Sequence, residues 1–170
     1  MTTVTYQPKA IAPHVLDELR ECDDAGMVRR PYMCDMDGAP LRCCLRRSRA
    51  GQRISLVSYA PLRRWAAEVG VDPGAYDEVG PVFIHTDRCK GPDSAFGYPF
   101  AETGALRVFR CYSGEGQIAG GTIVQLPGDP SQAQAAVDRA LHTAFAAPEV
   151  ALVHVRAVEY GCFQYEVGRP

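Results

Sequence analysis

The stretch LRVFRCYSGEGQIAGGTIVQL, residues 106–126, decides the fold class. Both ends are rich in β-branched and aromatic residues. Between them Ser113, Gly114, Glu115 and Gly116 provide the turn chemistry and the positive-φ freedom that join antiparallel neighbours. Gly120 and Gly121 inside the second strand predict a bulge. A hairpin here argues against regular alternation of parallel strands and crossover helices. Residues 131–145 then put Ala135, Val137, Ala140, Leu141, Ala144 and Phe145 on one stripe behind Ser131 as N-cap, which predicts a helix. Residues 150–158 read as an apolar strand broken by His154 and Arg156, and Tyr160-Gly161 turns the chain into a last strand over 162–167.

Working back towards the N-terminus, residues 13–24 carry Val15, Leu16, Leu19 and Cys22 at helical spacing after Pro13. Residues 31–38 read as a surface loop, and 41–47 with 53–59 as two antiparallel strands bridged by 48–52. A short helix is expected over 61–69, a strand over 81–86 that delivers His85 near its end, and a loop over 87–101. The order helix, hairpin, strand, hairpin, helix, hairpin predicts one α+β domain over residues 1–170. Its frame is a mainly antiparallel sheet of hairpins with two or three packed helices.

Composition narrows the class of protein without naming a function. Hydrophobic residues at 46% and charged residues at 22% suit a folded globular chain. A formal net charge of -2 gives no global pull towards nucleic acid or an anionic membrane, so nucleic acid is a disfavoured partner and no membrane is expected. The first residues lack a charged and then apolar leader, which predicts a cytoplasmic protein with reduced thiols. Seven cysteines, an odd number, do not read as a disulfide framework.

The chemistry-bearing residues gather at predicted strand ends. His85 and Cys89, four residues apart, suit either two ligands of one ion or a base and a nucleophile. A closed metal site needs further donors, for which Cys43, Cys44, His154 and Cys162 are the candidates. The turn at Tyr160-Gly161 keeps His154 and Cys162 apart, and the chain has no C-x-x-C. No metal site is assigned and no cofactor is expected. The plain alternative has His85 bonded to backbone and Cys89 packed in a loop.

Arginine supplies the second signal. Arg42, Arg46, Arg47, Arg49, Arg53, Arg63 and Arg64 fall in residues 38–67, which hold no acidic residue. On a strand, Arg42 and Arg46 share one face. Arg107, Arg110 and Arg156 sit inside apolar strands, where each guanidinium needs a carboxylate, a carbonyl or an anionic ligand. Tyr59 and Tyr112 end strands and can offer a phenol to an oxyanion or bury a ring. Dinucleotide, P-loop and nucleophile-elbow motifs are missing.

Three blocks carry a family resemblance: PLRCCLR (residues 40–46), GPVFIH (80–85) with Cys89 following, and VHVR (153–156) with YGCF (160–163). The chain resembles a bacterial family designated domain of unknown function 1203, over roughly residues 40–167. The resemblance implies one grouped domain; the N-terminal helix over residues 13–24, which precedes it, is expected to pack on it. It implies a single cysteine in the first block, so Cys43-Cys44 is a departure. It implies no reaction, cofactor or fold.

The expectation is therefore a protein that binds a small anionic organic molecule, with turnover left open. His85, Cys89, Tyr59 and Tyr112 are the candidate catalytic groups, and Arg42, Arg46, Arg107 and Arg156 the candidate anion holders. Two alternatives stand beside it: a non-catalytic interaction module using the arginine-rich patch, and a thiol-based sensor centred on Cys43 or Cys44.

Overall fold

The computed structural model describes residues 5–93 and 97–170. Over these residues the chain is α+β, with three α-helices on two mostly antiparallel sheets. Five strands form one sheet in the spatial order β1 (Arg30–Met33), β4 (Arg53–Tyr59), β5 (Gly80–His85), β2 (Pro40–Leu41) and β3 (Arg46–Arg47). Four form the other, in the order β7 (Ile118–Gln125), β6 (Leu106–Ser113), β8 (Val150–Ala157) and β9 (Phe163–Gly168).

The β6–β7 hairpin forms as its sequence directs. Cys111 pairs with Gly120 but Tyr112 pairs with Ile118, so Ala119 is the extra residue of a bulge beside the glycine pair. Helix α3 (Pro130–Ala146) lays Ala133, Ala136, Val137, Ala140, Leu141 and Phe145 against Phe109, Val153, Val155, Tyr165 and Val167 of the four-stranded sheet. Its N-cap is Asp129, whose carboxylate accepts from the Gln132 backbone N–H at 3.0 Å, rather than Ser131, whose hydroxyl donates to the same carboxylate. A carboxylate there meets the helix dipole as well as the free N–H groups, which a hydroxyl does less well.

Helix α1 (Pro13–Glu21) buries Val15, Leu16 and Leu19 against Ile54, Val57, Val82 and Ile84 of the five-stranded sheet. Helix α2 (Pro61–Val69) begins on its proline and stops at Gly70, whose φ of 76° is the left-handed cap that glycine adopts without strain. α2 sets Leu62 against Tyr112 and Leu152, with Trp65 half-buried beside them.

Residues 41–47 are not the single strand expected from their composition. Arg42, Cys43, Cys44 and Leu45 form a tight connection between β2 and β3, closed by the Leu45 N–H donating to the Leu41 carbonyl at 2.9 Å. Leu45 sits at φ 56°, a conformation that no Gly or Asn in the stretch announces. Nor does this segment pair with β4, which lies between β1 and β5. β1 itself occupies residues read as loop. All four of its side chains are exposed, so backbone pairing at a sheet edge defines it, with no buried face to leave a pattern. No helix among the described residues is long and apolar enough to cross a membrane.

The face of the four-stranded sheet turned away from α3 carries an unusual buried group. His154 is fully enclosed, edge-on to Tyr112 at 4.8 Å and Phe163 at 5.0 Å, and neither ring nitrogen has a hydrogen-bond partner. Its Nε2 lies 3.5 Å from Glu166 Oε2. Burial pushes its pKa down; Glu166 opposes this, while Arg156 and Arg110 add to it. An unfolded chain binds a proton below about pH 6.5 that the folded chain refuses. This contribution to stability is therefore full above that pH and is lost as pH falls towards the lowered folded value. Urea titrations from about pH 7.5 to about pH 5.5 should show His154→Leu losing less stability on acidification, by about 1 kcal/mol in all and most of it below about pH 6.5. Equal slopes for the two proteins would place the acid sensitivity elsewhere.

Candidate metal centre

The site begins with a strand register. β2 and β5 are parallel neighbours with Leu41 opposite Phe83, and the Arg42 N–H donates to the Phe83 carbonyl at 2.9 Å. Parallel strands run out on the same side, so the residue two beyond Leu41 meets the residue two beyond Phe83. These are Cys43 and His85. The Cys43 sulfur lies 3.4 Å from His85 Nδ1, and the Cys44 sulfur lies 3.9 Å from the same nitrogen. After His85 the chain turns back and brings Cys89 to the group. Among the described residues, Cys43, Cys44, His85 and Cys89 each offer a donor atom, all within 4.8 Å of one another.

Neighbouring groups hold this constellation in place. The His85 backbone N–H donates to the Cys43 sulfur at 3.2 Å. Arg20 of α1 reaches across to the carbonyls of His85, at 3.3 Å through Nη2, and of Asp87, at 3.2 Å. Thr86, buried, exchanges a hydroxyl hydrogen bond of 2.9 Å with Ser55. Arg46 ties the far side to Asp93 at 2.8 Å.

Electrostatics separates the two vicinal thiols. The hydrogen bond from Cys43 to the Cys44 sulfur lowers the pKa of Cys44; the Arg46 backbone N–H and the charges of His85 and Arg46 act the same way, against burial. That hydrogen bond and burial raise Cys43. One thiol of the pair is thus prepared as a thiolate, the form in which cysteine binds metal. Two clefts reach the cluster. One, of about 540 Å³, is lined by the half-buried Cys89 and the edge of the buried Cys43 beside Arg88 and Lys90. The other, of about 420 Å³, runs past the buried Cys44 beside Tyr98 and Gln134.

The remaining candidate residues lie elsewhere. Tyr59 is buried against Phe163 with ring centroids 5.7 Å apart, and burial raises its pKa and that of Tyr112. Arg42 follows β2 directly but turns its guanidinium away from the cluster, onto the Phe163 and Pro40 carbonyls and the Cys162 sulfur. Arg46 is exposed on Asp93. Arg107, 1% exposed, donates to the Phe100 carbonyl at 3.0 Å and lies 3.4 Å from Glu102 and Glu159. Arg156 donates to the Gly161 carbonyl at 2.8 Å and shares Glu78 with Arg110. Of the four further donors weighed from sequence, the fold selects Cys43 and Cys44 and leaves His154 and Cys162 outside. The missing signal was the parallel register, which no local pattern encodes.

Comparison with curated proteins and with solved structures returns no match. One family model, described as "Protein of unknown function (DUF1203)", matches residues 38–169, from just before β2 to just past the end of β9. The chain belongs to the DUF1203 family.

Proposed function

We propose that this protein is a metal-binding protein in which Cys43, Cys44, Cys89 and the Nδ1 of His85 hold one divalent ion, zinc by the chemistry of the donors. The observation that carries the reading is the spacing of the four donor atoms. Tetrahedral zinc, with bonds of about 2.3 Å to sulfur and about 2.0–2.1 Å to nitrogen, sets sulfur and nitrogen about 3.6 Å apart and two sulfurs about 3.8 Å apart. The sulfur–nitrogen distances of 3.4 and 3.9 Å straddle that value, and the 4.8 Å limit on the whole set needs only a small contraction. Three thiolates and an imidazole favour zinc over oxygen-seeking magnesium or calcium.

Four protein donors fill a tetrahedron, which is the pattern of a structural ion rather than one that keeps a position open for substrate. Its work is mechanical. The described residues between β5 and β6 carry no helix or strand, and a connection of that length needs a tie. The ion joins the start of this connection, through Cys89, to the turn after β2. The N–H of His85 on the Cys43 sulfur then acts as the outer hydrogen bond that steadies a metal thiolate. An anion-binding reading draws less support, since Arg42, Arg46, Arg107 and Arg156 each already have an internal acceptor.

Metal analysis of protein purified under reducing conditions should find about one zinc per chain. Cobalt exchanged into the site should give tetrahedral visible bands with sulfur-to-metal charge transfer, and Cys44→Ser should weaken both. No metal and no cobalt spectrum from fully reduced protein would sink the proposal and leave the thiol sensor as the account of the same cysteines.

A further inference from the structure

A small cavity of about 140 Å³ opens where the segment leading into α1 crosses α2 and the start of β9. Three aromatic side chains stand on its wall: Tyr59 at the end of β4, Trp65 of α2 and Phe163 of β9. The Tyr59 and Phe163 rings meet at 60°, so they form a corner rather than a flat stack. Two carboxylates, Glu68 and Glu166, complete the polar part of the wall. The cations beside the cavity are engaged elsewhere. Arg64 pairs with Asp24 and Glu18, and the Lys9 ammonium lies beside Gly168 instead of on Glu166. Among the described residues no lysine or arginine forms an ion pair with Glu166 or Glu68.

Two groups on the wall are left open to a ligand. Tyr59 is 6% exposed, its hydroxyl has no hydrogen-bond partner among the described residues, and its oxygen is not sealed from solvent. Burial raises its pKa, and so do Glu166, Asp24 and Glu68 against Arg64; three of these four charges line the cavity, which puts the hydroxyl on this side. Glu166 turns Oε2 inwards, enclosed 3.5 Å from His154 Nε2. Its Oε1 keeps an accessible surface and has no donor among the described residues. Aromatic rings beside unpaired carboxylates attract a cation that is losing its water. A free hydroxyl and a carboxylate oxygen add acceptors for N–H groups, which a quaternary cation does not have.

We propose that this cavity binds the ammonium head of a small primary amine. One N–H donates to Glu166 Oε1 and another to the Tyr59 hydroxyl, while the alkyl part lies against Trp65 and the apolar stretch Ala10, Ile11 and Ala12. None of the four metal donors lines this cavity, so ion and amine bind at separate places.

The chain has one tryptophan, Trp65, so intrinsic fluorescence reports directly on this wall. The full chain is titrated with propylammonium chloride at constant ionic strength, beside parallel titrations with sodium chloride and tetramethylammonium chloride. Propylammonium should change the emission saturably, with half-saturation at roughly 1–10 mM, and tetramethylammonium should bind at least about tenfold more weakly. Glu166→Gln should weaken propylammonium about tenfold and Tyr59→Phe about threefold, with circular dichroism confirming that each variant is folded. Tyr59→Phe keeps the ring and carries the test if Glu166→Gln fails to fold. A response no different from that to sodium chloride overturns the site. Equal binding of tetramethylammonium, or affinity unchanged in the folded variants, overturns the assignment of Glu166 and Tyr59 as acceptors for a primary amine.

Discussion

Chelating the ion is expected to lower the unfolding midpoint by about 10 °C. An ion that binds the native chain and not the unfolded one stabilises it by about 4 kcal/mol when present at about a thousand times its dissociation constant. In a chain of this length each kcal/mol moves the midpoint by about 2–4 °C. The donors come from two distant parts of the sequence, so the unfolded chain offers no comparable site and the binding energy falls almost wholly on the folded state. Melts followed by circular dichroism, with and without a strong zinc chelator in reducing buffer, measure the shift. His85→Ala should melt between the loaded and chelated proteins and respond less to chelator, because a water must then complete the tetrahedron. Superimposable melts would mean that the cluster carries no ion that matters to the fold. Acid should imitate the chelator, since each ligand must lose its proton to bind.

The second large effect is expected from Arg42→Met, at about 3–5 kcal/mol of lost stability. The guanidinium leaves the five-stranded sheet at the end of β2 and donates to the Phe163 carbonyl at the start of β9 in the other sheet, at 2.8 Å through Nε. It also holds the Pro40 carbonyl on its own side. Removing it takes the donor from the buried Phe163 carbonyl and the half-buried Pro40 carbonyl and opens space between the sheets. Arg42→Lys should restore little, because an ammonium lacks the planar fork that meets both carbonyls together. Chemical denaturation reads the loss, and metal content separates the causes. The variant should still bind its ion, since Arg42 contributes none of the donors. Loss of metal together with stability would mean that the residue organises the turn of Cys43 and Cys44 instead of clamping the sheets.

The sequence was most readable where structure is local. The 106–126 hairpin declares itself through its glycines and its alternation, and α3 through a long apolar stripe. β5 was readable as the strand that ends in His85, and Cys89 four residues on was readable as its companion. What stayed hidden depends on partners far along the chain. Cys43 and Cys44 were two of several possible donors because nothing near them says that β2 lies parallel to β5. The segment around them looked like a continuous strand because a four-residue turn with Leu45 in the left-handed region leaves no compositional mark. Arg42 read as an anion holder because a guanidinium satisfied by backbone carbonyls and one awaiting a ligand look the same in sequence. The tyrosines followed the commoner course of buried rings.

The parallel pairing of β2 with β5 also sets a timetable for synthesis. Cys43 and His85 are 42 residues apart, and the chain between them must lay down β3, β4 and α2 before β5 can return beside β2. A ribosome adding about 5–20 residues per second exposes the vicinal thiols a few seconds before it delivers His85 and Cys89. Through that interval Cys43 and Cys44 form a two-pronged chelator with open valences, able to capture any thiophilic ion that arrives first. On the proposed zinc reading, an ion captured in that interval would have to exchange for zinc once His85 and Cys89 complete the donor set.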